Sequence, residues 1–329
     1  MRVGLSIGGG VSAMERLEPR DLAADGFASV FLACYEDEMR WHAQMAADFS
    51  RACQGAGLEV VVVPLGYGRV MDPDSSTESL YVREHPHNCQ VDSRGRRVAK
   101  ACPNNPAFLE WFSSNMRTLA WLLECTGFLW DEPSLHAARG TWACRCEWCQ
   151  RLFHAENQRQ MPVEQDSDVD RFRRDSLLMF LLAAAAAIQA VDRRLASLVM
   201  PTSSASSREA GLADDDLRPL ARSSAADVVS VYVPWQSEGR DMEIAIRSAA
   251  EEARGAGDDG DGPVVLWVGG SPHPRDRLLE ALKVAERAHV DHLVIAGHQT
   301  LTASVAYESF RRELSNAIAD VRSAEKQRR

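Results

Sequence analysis

Along the chain of 329 residues, short continuous apolar runs alternate with longer stretches whose apolar positions recur every three or four residues. A short continuous run predicts a strand buried on both faces, and the three-and-four spacing predicts a helix with one face against a core. On this basis strands are predicted at 3–7, 29–34, 59–64, 127–131, 197–200, 228–233, 264–268 and 292–296. Helices are predicted at 38–56, 108–125, 171–195, 242–256, 275–289 and 304–322. Eight such alternations predict a single (β/α)8 barrel over residues 1–329. An open doubly wound sheet would share the alternation. The count of eight favours the barrel, and so does Gly8-Gly9-Gly10, which lacks the spacing of a dinucleotide-binding turn.

Two connections, 65–101 and 133–170, are too long for ordinary turns. Both leave the C-terminal ends of strands, where barrels of this kind build their active sites. The composition, 45% apolar and 26% charged, suits a soluble protein with a large core. A net charge of −10 offers no basic footprint, so nucleic acid and anionic membrane are not expected partners, and a polar small molecule or neutral polymer is. The most apolar helix, near 177–188, is too short to span a bilayer. The N-terminal segment has the short apolar run of a first strand without the pattern of a secretory signal, which leads to the expectation of a cytoplasmic protein. Exposed barrel helices and an acidic surface permit a homo-oligomer.

Cys144-Arg-Cys-Glu-Trp-Cys149, together with Cys102, supplies four thiols at the short spacings by which neighbouring sulfurs converge on one ion. Four thiolates complete a closed tetrahedron, so the expected metal is a structural Zn²⁺ tying the end of the first long connection to the middle of the second. Asp131 and Glu132 end the fourth strand, where alternation admits only one of them to the barrel mouth. If Phe128 and Trp130 face inward, Glu132 follows on that face with an indole beneath it, an environment that raises a carboxyl pKa and suits a general acid. Flat rings that could stack on sugars stand near strand ends at Tyr35, Tyr232, Trp235 and Trp267, and His273 and His298 follow the last two strands.

The segment Ala101-Cys-Pro-Asn-Asn-Pro106, a helix, a strand ending in Asp131-Glu132, and the three-cysteine cluster resembles the zinc-containing β-galactosidases of glycoside hydrolase family forty-two, barrels of glycosidase clan A. The resemblance covers residues 101–153. It implies zinc on Cys102, Cys144, Cys146 and Cys149, Glu132 as acid/base, and a glycoside or other sugar derivative as substrate. Two departures stand out. Asp131 replaces an asparagine, and the family's nucleophile, a glutamate ending the seventh strand, has no counterpart in Leu266-Trp-Val-Gly-Gly-Ser-Pro-His273. Glu36 or Asp37, after the second strand, could act as base in an inverting arrangement, which needs only to activate water. Two other functions fit the same residues. One is a metal-dependent sugar isomerase, epimerase or lyase, with Asp131 or Glu132 and histidines on a divalent cation. The other is a non-catalytic carbohydrate-binding relative of the glycosidases, which the missing glutamate favours.

Overall fold

The structure is a computed structural model that describes residues 1–8, 10–71, 79–138, 140–201, 212, 226–233, 241–256, 262–269, 275–296, 312–321 and 323. Eight parallel strands form a closed barrel in chain order: β1 (Arg2–Ile7), β2 (Ser29–Tyr35), β3 (Glu59–Leu65), β4 (Gly127–Asp131), β5 (Ala196–Met200), β6 (Val228–Val233), β7 (Val265–Val268) and β8 (His292–Ile295). The ring closes where β1 pairs with β8, Arg2 opposite His292 and Leu5 opposite Ile295. The longer helices are α1 (Glu36–Gly55), α2 (Pro106–Leu122), α3 (Glu147–Asn157), α4 (Ser167–Gln189), α5 (Met242–Ala256) and α6 (Arg275–Arg287). Local signals set their starts. Asn105 accepts hydrogen bonds from Ala107 N and Phe108 N ahead of Pro106, and Asp166 accepts one from Val169 N.

Each strand divides its side chains between two cores. Phe31, Ala33, Val61, Val63, Leu65, Leu129, Leu198, Met200, Val265, Trp267 and Val294 fill the barrel interior. Their alternating neighbours, among them Val30, Val62, Phe128, Trp130 and Leu266, pack outward against the helices. The inward orientation expected of Phe128 and Trp130 is therefore reversed. Both rings stack on the helix side, where Phe112 lies 6.3 Å from Trp130, and the Trp130 indole N–H donates to Ser197 Oγ at 2.7 Å. The interior near β4 is filled by Leu129, Leu198 and Met200, and the wider space between strand and helix takes the large rings.

The long connections carry structure that apolar periodicity does not reveal, because their strands are only two to five residues long. Cys89–Val91 pairs with Arg97–Ala101, and Ala137–Ala138 with Thr141–Trp142. An isolated bridge from Asp92 to Ala143 joins one connection to the other. Of the predicted helix at 304–322, the described part, 312–321, is helical. No helix among the described residues is long and apolar enough to cross a membrane.

At the opposite end of the barrel from its mouth, His292 is buried with Nε2 2.8 Å from Ser29 Oγ. Burial, and then the charge of Arg2, push its pKa down to about 3. An unfolded histidine takes a proton near pH ~6.5. Between that value and about 3, protons therefore bind the unfolded chain in preference to the folded one. The contribution is fully present above pH ~6.5 and is lost as the pH falls. In thermal melts followed by circular dichroism, His292→Gln should lower the slope of melting temperature against pH below neutrality relative to the wild-type protein.

Candidate active site

Asp131 is the last residue of β4 and lies opposite Met200 of β5 in the ladder. Leu129 and Met200 face the interior, so alternation along β4 and register across to β5 both put Asp131 on the inward face at the barrel mouth. The same alternation would send Glu132 outward. Its backbone instead turns left-handed, with φ 41°, a conformation that costs a non-glycine residue about 1–3 kcal/mol and persists only where surroundings enforce it. Here they do. Glu132 N donates to Met200 O at 2.9 Å, Pro133 follows, and Ser134 N donates to Val70 O at 2.9 Å. Ser134 Oγ also accepts from the buried Lys100 Nζ at 2.6 Å. The pKa of Tyr232 is raised by burial first and by the Glu132 charge second.

Tyr232 of β6 lines the interior, and its hydroxyl donates to Gly269 O at 2.8 Å. Trp267 stands beside it in register on β7, only 5% exposed, with its ring edge-on to Phe31 at a centroid distance of 5.0 Å. Its indole N–H has no acceptor among the described residues. Two residues on, Gly269 lies just past β7 and continues its inward alternation, and a Cβ there would collide with Ala296. The segment 263–275 contains no carboxylate, so the missing seventh-strand acid is matched by a missing space. Tyr35, half-buried, packs on the same interior cluster.

Of the other candidates, Glu36 is buried and accepts from Ser79 Oγ at 2.6 Å, Tyr81 N at 2.6 Å and Gly68 N at 3.2 Å. Burial raises its pKa against the lowering effect of those bonds. It thereby ties the connection after β3 to the start of α1. Asp37, half-buried beside it, accepts from Glu38 N at 2.9 Å. Glu38 accepts in turn from Val11 N, and a Cβ on Gly10 would collide with its carboxylate, which accounts for a glycine at position 10. Trp235, His273 and His298 lie outside the described residues. The Lys100–Ser134 bond behind Glu132 has no signature in the sequence, since its partners are 34 residues apart and neither belongs to a motif.

The Sγ atoms of Cys102, Cys144, Cys146 and Cys149 all lie within 4.8 Å of one another, and Cys102 is 3.4 Å from both Cys146 and Cys149. Four thiolates at ~2.3 Å from a tetrahedral ion would be about 3.8 Å apart. The cluster is therefore of the size that holds a metal ion. Asn104 Nδ2 donates to Cys149 Sγ at 3.3 Å and to Ser176 Oγ at 2.8 Å, and Cys146 N donates to Cys144 Sγ at 3.4 Å. Such donors stabilise negative sulfur. The cluster sits in a small core of its own with Trp142, Phe153, Met161, Val169 and Phe172. Arg145 N donating to Val91 O at 2.7 Å and Ser93 N to Trp142 O at 2.8 Å knit the two connections alongside it.

No protein-family model matches the chain, and no curated protein does. Solved structures match across nearly its whole length. A β-galactosidase from Rahnella sp. R3 gives a TM-score of 0.69 at 13% identity, covering 98% of this chain and 56% of that one. The glycoside hydrolase domain of PgaB (BpsB) from Bordetella bronchiseptica gives 0.63 at 12% identity, covering 94% and 97%. α-L-Fucosidase isoenzyme 2 from Paenibacillus thiaminolyticus gives 0.66 at 13% identity, covering 99% and 50%. The chain thus spans just over half the length of the Rahnella β-galactosidase and nearly all of the PgaB domain. What is shared at these identities is the fold, the (β/α)8 barrel found in these glycoside hydrolases.

The three bonds to Glu36 make it a test of the wall of the mouth. Glu36→Gln sets an amide N–H₂ against at least one donor and should lower stability by about 1–3 kcal/mol in denaturant unfolding. Loss of less than a few tenths would show that the connection after β3 does not depend on it.

Proposed function

We propose that this chain is a glycoside hydrolase-like enzyme acting on a glycoside or other sugar derivative, with Glu132 as general acid/base. The observation that supports the proposal is the left-handed turn at Glu132, the residue after Asp131 at the C-terminal end of β4, whose charge acts on Tyr232. From there its carboxyl can give a proton to the glycosidic oxygen as the C1–O bond breaks and later take one from water. Asp131, on the adjoining inward position, accepts a hydrogen bond from the substituent next to the reacting carbon. Tyr35 and Tyr232, both half-buried, supply ring faces for a sugar, whereas the ring of Trp267, expected to do so from the sequence, is packed in the barrel core. Asp37 remains a candidate base, whereas Glu36 is committed to the loop. The space closed at Gly269 favours a second function, carbohydrate binding without turnover.

The donor set of four clustered thiols suits Zn²⁺ better than a hard cation, and a closed tetrahedron would make it structural. Cys102, Cys144, Cys146 and Cys149 would hold it, cross-linking the two long connections of one barrel domain over 1–329. Thiols kept for a metal suit a reducing compartment such as the cytoplasm.

On a panel of aryl glycosides, Glu132→Gln should reduce kcat about 10²–10⁴-fold while sugar affinity, measured by calorimetry, is retained. Unchanged turnover would overturn the assignment. Elemental analysis of the purified protein should find about one zinc per chain, held weakly or not at all by Cys146→Ser, whose melting temperature should also fall. A folded, reduced protein without zinc would leave the cluster as four packed thiols with no metal to hold.

A further inference from the structure

Glycosidic cleavage with retention needs a nucleophile at the reacting carbon, and among the described residues the inward position just past β7, where the resembling family places its carboxylate, has no room for one. The first inward position past β7 is Gly269, approached closely by Ala296 and bonded through its carbonyl to Tyr232, and no acid occurs between residues 263 and 275. The mouth nevertheless carries two consecutive carboxylates. Asp131 faces in by register with Met200, and Glu132, left-handed just past it, acts by its charge on Tyr232. Adjacent residues on one strand end approach a sugar from the same side, which suits two different tasks on neighbouring substituents and does not suit the opposed pair of an inverting enzyme. A further group waits there: the Trp267 indole N–H, buried in the interior beside Tyr232 and without an acceptor among the described residues, is a donor for a ligand oxygen.

We propose that the mouth takes 2-acetamido-2-deoxyhexosides and that the acetamido oxygen of the substrate is the nucleophile, with Asp131 holding the acetamide N–H and Glu132 handling the proton. The proposal rests on the glycoside hydrolase function above. In the first step the acyl oxygen forms a bond to C1 as the C1–O bond to the leaving group breaks. The bonding pair departs with the glycosidic oxygen, which takes the Glu132 proton. Positive charge moves onto the acetamide C–N unit of the resulting five-membered ring, whose N–H faces the Asp131 carboxylate. Ionised aspartate accepts and cannot donate, so it suits an N–H that gains positive charge better than the asparagine of the resembling family would. Water then attacks C1, its proton passes to Glu132, and the electron pair returns to the acyl oxygen. Water is the sole co-reactant, and the product keeps its configuration at C1.

The test compares matched 4-nitrophenyl glycosides of the gluco and galacto series, bearing 2-acetamido or 2-hydroxyl groups, on the full chain. Neighbouring-group attack predicts that the acetamido substrates react at least about 100-fold faster. Replacing N-acetyl by the less nucleophilic N-trifluoroacetyl should slow turnover at least about tenfold. Asp131→Asn should lower kcat on the acetamido substrate, and a thiazoline analogue of the cyclic intermediate should compete with it. Should the variant fail to fold, the N-acyl series on the unaltered protein decides for or against substrate assistance by itself. Equal turnover of 2-hydroxyl glycosides, or indifference to fluorination, overturns substrate assistance, while a loss of that turnover in Glu132→Gln leaves the hydrolase function standing. No turnover of either series, with no thiazoline binding, overturns both.

Discussion

The backbone at Glu132 is the constraint on which the candidate site depends. A regular strand would carry the residue after Asp131 to the helix-facing side, into the layer that already holds Phe128 and Trp130. A left-handed residue reverses that outcome, and it is held by hydrogen bonds to elements on opposite flanks, Met200 O of β5 and Val70 O of the connection after β3. The conformational cost is thus offset by two ladder-like bonds and the Lys100 contact at Ser134. Two consecutive carboxylates then share one mouth, which sequence alternation alone would forbid.

The same segment runs on toward the thiol cluster, so the backbone at Glu132 and the packing of the two long connections lie along one stretch of chain. Long connections ordinarily carry a high entropy of ordering. Here it is met by short hairpins, by the bridge between Asp92 and Ala143, and by a small core in which three cysteines are buried and one is half-buried. Arg96 and the backbone at Arg94 satisfy the buried Asp92 carboxylate, so the hairpin that leads to Cys102 is fixed from within. A metal ion at the cluster would add a covalent-strength tie to an arrangement already aligned by backbone bonds.

Past the end of the seventh strand the inward space is taken up by neighbouring strands. The approach of Ala296 to Gly269 removes the room for a side chain, and Tyr232 occupies the carbonyl beside it. Trp267 fills the layer below with its edge-on contact to Phe31, leaving a buried N–H as the group that β7 presents.

The order of apolar runs was enough to define the barrel, because a strand buried on both faces must be continuously apolar and a helix on one core must repeat every three or four residues. The spacing of Cys144, Cys146 and Cys149 was likewise legible, since ligands a few residues apart can converge locally. Cys102 joined them as the fourth thiol, the Asp131-Glu132 pair stood out by its place at a strand end, and resemblance to a family added their expected roles. Tertiary structure alone decided the faces. Phe128 and Trp130 alternate identically whether they point in or out, and only the volume available beside Leu198 and Met200 and the Ser197 acceptor settle it. Glu36 and Glu132 are equally acidic in sequence, yet three donors from residues 68–81 confine the first while distant backbone carbonyls turn the second toward the mouth. Those partners come from elsewhere in the chain, so no local pattern encodes them.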